Sequence, residues 1–205
     1  MYTYVVEHDY GFAPNPFFGT CTLATCKPRI RAKADIGDLI LAVGSKKFGL
    51  DENIVFHMFV AEICTFDEYW NDERFLQKRP EFSGSKMRAV GDNIYRHEDN
   101  GVWSQSPSLH RRIFDKIDAE HLGRDTSSDR VLIAYEFTYW GGDGPRIPRS
   151  LLTGQSKKLV GGRPVRCNFS DEQIRSTVRW LHSFHAPQIS GTPRQWIDLE
   201  SCLKF

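Results

Sequence analysis

Ile54-Val-Phe-His-Met-Phe-Val-Ala-Glu-Ile63 is the stretch on which the fold turns. Val55, His57, Phe59 and Ala61 alternate with Phe56, Met58 and Val60, and both sets are largely apolar. A strand covered on two faces, or one curling into a small barrel, has this pattern. Upstream, Ile36-Gly-Asp-Leu-Ile-Leu-Ala-Val-Gly44 reads as a turn and a second apolar strand, and Tyr2 to Val6 as an opening strand rich in aromatic and β-branched residues. Downstream, Thr65-Phe-Asp-Glu68 fits a capping box that starts a helix carrying Tyr69 and Trp70. Val131 to Tyr139 predicts one strand closed by Gly141-Gly-Asp-Gly144, and Ser170-Asp-Glu-Gln173 predicts a helix with Ile174, Val178 and Leu181 on its apolar face. Pro80 to Ser108 is rich in Gly, Ser, Asn, Asp and charge, and reads as an inserted loop or arm containing a hairpin. The sum is an α+β fold: a curved, mainly antiparallel sheet or small barrel with flanking helices, in a single domain spanning 1–205.

The 205 residues, 40% of them apolar, can bury a real core. Charges nearly cancel, 27 Lys and Arg against 26 Asp and Glu, so no global basic field draws the chain onto a polyphosphate and any nucleic-acid contact must be local. No apolar run approaches the roughly 20 residues needed to span a bilayer, and Glu7, His8 and Asp9 interrupt the apolar start, so a cytoplasmic protein without membrane contact is expected. Five cysteines, scattered at 21, 26, 64, 167 and 202, do not form the even framework of a secreted scaffold. Free thiols and no structural metal follow from that spacing. The glycine turn matches neither GxGxxG nor a P-loop, so no motif names a cofactor.

Asp9 to Arg31, DYGFAPNPFFGTCTLATCKPRIR, carries the chemistry. Prolines 14 and 16 stiffen the loop, and around them stand a carboxylate, an amide, threonines, two thiols and three cations. A pocket for a base and its phosphate needs such a mixture, with Asn15 for the base edge, Phe12 or Phe17 for stacking, Thr22 in the pocket wall, and Lys27 and Arg31 for phosphate oxygens. A packed wall with solvated cations is the alternative. Cys26 precedes Lys27, whose ammonium would favour the thiolate, so it is a candidate nucleophile, although no base stands near it in sequence. Asp9 is the preferred acid/base or ring-NH acceptor. In Ser106-Pro-Ser-Leu-His-Arg-Arg112, Arg111 and Arg112 beside His110 offer a phosphate contact or a solvated helix start.

The succession Asp9-x-Gly11-Phe-Ala-Pro-Asn-Pro-Phe17, Cys21-Thr-Leu-Ala-Thr-Cys-Lys-Pro28, Ile30-Arg31 and Gly37-Asp38-Leu-Ile resembles the second of the nucleotide modification associated domain families. The match is dense over Tyr2 to Ser45 and weaker at Val131 to Pro148. The resemblance implies a setting in phage and bacterial systems that modify DNA bases or defend against foreign DNA, with protein partners in such a system. Gly37-Asp38-Leu-Ile-Leu followed by a strand ending in Val60-Ala-Glu62-Ile also looks like the barrel of PUA-like domains, the class of EVE and YTH modules, which enclose modified bases. Three functional readings follow: binding of a nucleotide or modified base, free or within DNA, in a pocket built from residues 9–31; an enzyme, transferase or hydrolase, that modifies a nucleotide or DNA base; and a structural component of a defence complex.

Overall fold

A computed structural model describes residues 1–111, 116–152, 165–197 and 199. In chain order these form β1 (Tyr2–Val6), β2 (Cys21–Leu23), α1 (Pro28–Arg31), β3 (Leu39–Gly44), β4 (Ile54–Phe59), β5 (Glu62–Cys64), α2 (Phe66–Asn71), α3 (Lys86–Ala89), β6 (Tyr95–His97), β7 (Trp103–Gln105), α4 (Ala119–Thr126), β8 (Val131–Ala134), β9 (Glu136–Tyr139), α5 (Arg149–Leu152), β10 (Val165–Arg166) and α6 (Asp171–His182). The architecture is mixed α+β. A five-stranded sheet runs β10-β1-β3-β4-β9, a second runs β2-β8-β5, and β6 pairs with β7. Among the described strands β1 and β3 alone pair in parallel, Tyr2 opposite Ile40 through Val6 opposite Gly44.

The decisive stretch divides between two sheets. β4 pairs with β9 in the first, and after Val60 and Ala61 the chain becomes β5, which pairs with β8 in the second. The partner strand bends at the matching place, Tyr135, so 54–63 and 131–139 each supply two strands where one was expected. The bend has local causes. Val60 exchanges hydrogen bonds with the Gly37-Asp38 turn, accepting from Gly37 N at 2.7 Å and donating to Asp38 O at 2.9 Å, while the Ala61 N–H reaches across to Ile133 O at 2.9 Å. Among the described residues no barrel closes, which corrects the PUA-like expectation. The free edge of β9 is instead covered by the segment around Gln188 to Ser190, whose backbone bonds Tyr139 on both sides.

Apolar residues on both strand faces are accounted for by two layers of core. Ile40, Ala42, Phe56 and Met58 face Tyr4, Leu23, Leu132 and Phe137 on one side. Leu39, Leu41, Val43 and Ile54 face Trp140, Leu152 and Leu181 on the other, under α6. Both capping boxes form: the Thr65 side chain accepts from Glu68 N at the start of α2, and the Ser170 side chain from Gln173 N at the start of α6. Residues 80–108 contain α3 and the β6–β7 hairpin, and their central part is packed inward, with Val90, Asp92, Asn93, Ile94 and Tyr95 buried. Among the described residues no helix is long and apolar enough to cross a membrane.

Candidate active site

Cys26 sits at a strained corner between β2 and α1. Its φ is 56° and that of Lys27 is 43°, two consecutive non-glycine residues in the left-handed region, where a Cβ crowds the following carbonyl. Pro28 then occupies the first position of α1, where its missing N–H costs nothing. Arg31, at the end of that short helix and fully buried, holds the corner. Its Nε donates to Cys26 O at 2.9 Å, Nη1 donates to Ser128 O and Arg130 O at 2.7 Å each, and Nη2 donates to Asp125 O. One guanidinium thereby binds the Cys26 turn to the C-terminal end of α4.

The last turn of α4 carries Asp125, whose side chain is fully buried and takes four donors. Oδ1 accepts from Cys26 N and Arg124 Nε, each at 3.1 Å. Oδ2 accepts from the Tyr95 hydroxyl at 3.0 Å and pairs with His110 Nδ1 at 2.9 Å. The other ring nitrogen of His110, Nε2, faces Cys26 Sγ at 3.6 Å. Phe12 packs edge-on against the imidazole with ring centroids 4.8 Å apart, and His121, held by Asp118 at 2.8 Å, lies on it at 4.3 Å. A thiol, an imidazole and a carboxylate thus stand in line, the arrangement that nucleophilic catalysis requires.

Burial sets the resting protonation. It pushes the Cys26 thiol up to about 11, helped by the Asp125 charge and opposed by Arg124, Lys27 and Arg31. Burial lowers His110 as well, although Asp125 pulls it the other way. Burial alone would raise Asp125, yet the hydrogen bond and charge of His110 and the charge of Arg124 bring it below the ordinary carboxylate value. These shifts favour a thiol, a neutral imidazole and a carboxylate at neutral pH.

Of the other residues singled out from the sequence, Lys27 lies beside Cys26 and those others the structure describes are held by partners of their own. Asn15 is fully buried, its Nδ2 on Val90 O at 2.9 Å and its Oδ1 accepting from Lys78 Nζ at 3.0 Å. Thr22, close by, donates to Asp92 Oδ2 at 2.7 Å and accepts from Tyr69 OH at 3.2 Å. Asp9, also buried, accepts from the Tyr139 hydroxyl and from Arg194 N at 3.2 Å, which ties the N-terminal loop to the segment after α6. Phe17 stacks on Trp196 at 5.4 Å and covers Gly11, whose φ of 70° and lack of a side chain admit the ring; a Cβ there would lie 2.7 Å from it. Lys27, half-buried beside Cys26, reaches Val5 O at 3.4 Å and lies 4.6 Å over the Tyr4 ring. Arg111 donates from Nη1 to Gln105 O, and Arg112 lies outside the described residues. Of the sequence candidates, Cys26, Lys27 and Arg31 thus meet at one site, while Asp9, Asn15, Phe17 and Thr22 are held elsewhere. The sequence reading placed His110 only as a neighbour of arginines and did not single out Asp125. They stand 84 and 99 residues from Cys26, so no local spacing could have joined them.

The ligand atoms of Cys26, His110 and Asp125 all lie within 4.8 Å of one another, close enough to hold a metal. The donor set fits one poorly. Both oxygens of Asp125 are already taken, which leaves Sγ and Nε2 alone, and Arg124 Nη2 stands 4.0 Å from the sulfur, where it would repel a cation.

An α+β protein in which a thiol, an imidazole and a buried carboxylate converge is the class that fold and site define. The chain belongs to the family described as nucleotide modification associated domain 2, whose model matches residues 1–200. That places it with nucleotide modification systems. No curated protein and no solved structure matches it.

Proposed function

We propose that this protein is a cysteine-dependent enzyme of nucleotide modification, with Cys26 as nucleophile, His110 as general base and then acid, and Asp125 as the group that orients and charges His110. The observation that carries this reading is the contiguous line Sγ···Nε2 at 3.6 Å and Nδ1···Oδ2 at 2.9 Å. The first distance is loose for a ground-state hydrogen bond but within the range of such pairs before substrate binds. The reaction class is group transfer or hydrolysis at an electrophilic carbon on a nucleotide, a base or the group added to one. As the Sγ–C bond forms, the thiol proton passes to His110 Nε2; as the bond to the leaving group breaks, His110 returns the proton to it. Water or an acceptor nucleophile, deprotonated by the same imidazole, then releases Cys26. Asn15, Thr22 and Asp9, fully engaged with protein groups, support the frame in this reading, and Arg31 positions Cys26 and Asp125.

The test is incubation of the protein with a panel of nucleotides and of DNA with modified and unmodified bases, followed by mass spectrometry of both protein and products. A product mass change that is lost in Cys26→Ala and in His110→Ala is the expected result. A mass change that survives Cys26→Ala overturns the assignment. Thermal stabilisation by a base or nucleotide with no mass change anywhere returns the protein to the class of base readers.

A further inference from the structure

The surroundings of Cys26 hold more positive charge than the relay consumes. Lys27 Nζ has a single acceptor, Val5 O at 3.4 Å, and forms no ion pair among the described residues, although burial lowers its pKa and so marks an ammonium short of compensation. Beneath it the Tyr4 hydroxyl is buried with no hydrogen-bond partner. Arg124 meets Asp125 through Nε, while its Nη2 is 4.0 Å from Cys26 Sγ on a side chain that is 42% exposed. Of the carboxylates that act on these cations, Asp125 is committed to four donors, and Glu7 is exposed and acts on Lys27 through space without an ion pair among the described residues. Two cations thus act on the sulfur, Arg124 in direct reach and Lys27 through its charge, each with N–H groups to spare, and a half-buried ammonium without an ion pair is costly.

We propose that Lys27 and Arg124 form an oxyanion-binding subsite at the nucleophile, so that the substrate carries a phosphate or carboxylate next to the carbon that Cys26 attacks. The inference rests on the assignment of Cys26 as nucleophile and adds to it the substrate's charge. An anion seated there neutralises both cations and holds the electrophilic carbon over Sγ; a neutral analogue loses that contact. Guanidinium and ammonium suit the two ends of the task, Arg124 for forked hydrogen bonds and Lys27 for a point charge.

Two alkylating reagents of the same chemistry and different charge test this on the intact protein: iodoacetate and iodoacetamide. In both, the S–C bond forms as iodide leaves and the thiol proton is lost to base. Rates are read at individual cysteines by peptide mass spectrometry, with the exposed Cys167 as internal reference. The expected ratio of iodoacetate to iodoacetamide rates is on the order of tenfold higher at Cys26 than at Cys167, the effect of one charge-assisted contact. Lys27→Gln, which leaves Asp125 untouched, and Arg124→Gln each bring the ratio towards that of Cys167, while Arg124→Lys keeps most of it. Equal ratios at the two cysteines, or a Cys26 ratio that neither Gln variant moves, overturn the subsite. Inorganic phosphate and acetate then separate the two anion types: slowing of Cys26 alkylation by phosphate alone assigns a phosphate, slowing by acetate alone a carboxylate, and slowing by neither counts against the proposal. The nucleophile assignment fails on a different readout, a Cys26 iodoacetamide rate that His110→Ala leaves unchanged.

Discussion

Cys26 is a residue whose side chain is ordinary and whose position is not. Two successive left-handed residues cost of order 1–3 kcal/mol each, and Arg31 and Asp125 hold them through backbone contacts to Cys26 O and N. In the proposed mechanism Asp125 does two jobs, seating Cys26 and orienting His110. Asp125→Asn separates them, because the amide keeps its size and can still accept from Cys26 N. The expected outcome is a folded protein whose single-turnover rate falls by about 10³–10⁴-fold, the loss seen when a relay carboxylate becomes an amide. Circular dichroism checks the fold and rapid quench the rate; a loss below tenfold would remove Asp125 from the relay. A second buried cation, Lys78, tests the neighbouring frame. It is fully buried, donating to Asn15 O, Asn15 Oδ1 and Thr20 O at 3.0 Å each, and burial lowers it to about 8 in spite of Asp92 nearby. Lys78→Met leaves the buried Asp92 without the cation that offsets its burial and takes one donor from each Asn15 oxygen, so chemical denaturation is expected to show a loss of about 3–5 kcal/mol. An unchanged midpoint would mean that Met repacks the site as well as Lys78 holds it.

Among the elements, the helices with caps were legible and the strands with bends were not. Ser170 and Thr65 announce their helices because a side-chain oxygen three residues before Gln173 or Glu68 satisfies donors that the helix itself cannot. α6 has both that local device and the packing of Val178 and Leu181. Ser170→Ala is expected to cost about 1 kcal/mol and to lower the melting temperature by about 2–4 °C. A thermal scan with no shift would show α6 held by packing alone. The bends at Val60 and Tyr135 had no such signature. Apolar alternation continues straight through 54–63, and the break comes from a turn, Gly37-Asp38, that competes for the Val60 backbone from a distant part of the chain. Pattern reports which residues are buried, whereas the choice of pairing partner is a tertiary decision. The same limit explains Asn15, Thr22 and Asp9: their polar character was visible, but the buried partners that consume it, Lys78, Asp92 and Tyr139, were not.

For the molecule as a whole, acid stability offers a clean test of the two-layer core. His57 on β4 is buried against Trp140 and Phe59, with ring centroids 5.5 and 5.8 Å away, and burial, with a smaller contribution from His182, lowers it from an ordinary 6.5 to about 4. The folded state thus binds this proton less readily than the unfolded chain. The stability gained is complete above pH 6.5 and is lost as the pH falls towards 4, by about 3 kcal/mol over that window. His57→Phe keeps the ring and removes the titration, so its acid-unfolding midpoint is expected at lower pH. Urea titrations of both proteins at pH 7, 5.5 and 4 measure the difference, in which the contributions of other titrating groups cancel; parallel losses would refute it. The candidate site was half legible at this scale. Cys26, Lys27 and Arg31 belong to one short segment and stood out together, whereas His110 and Asp125 arrive from the far side of β6 and β7 and from α4, brought in by packing that no spacing rule encodes.

Arg31 is out of reach of any substrate, yet its four hydrogen bonds join the turn that carries the thiol to the helix end that carries the acid. In a survey of random inactivating variants it would therefore be recovered as often as the reactive residues themselves. A Lys there could reach one carbonyl but not fork across four, and the lesion would be inherited as a loss of activity in a protein whose chemical groups are all present.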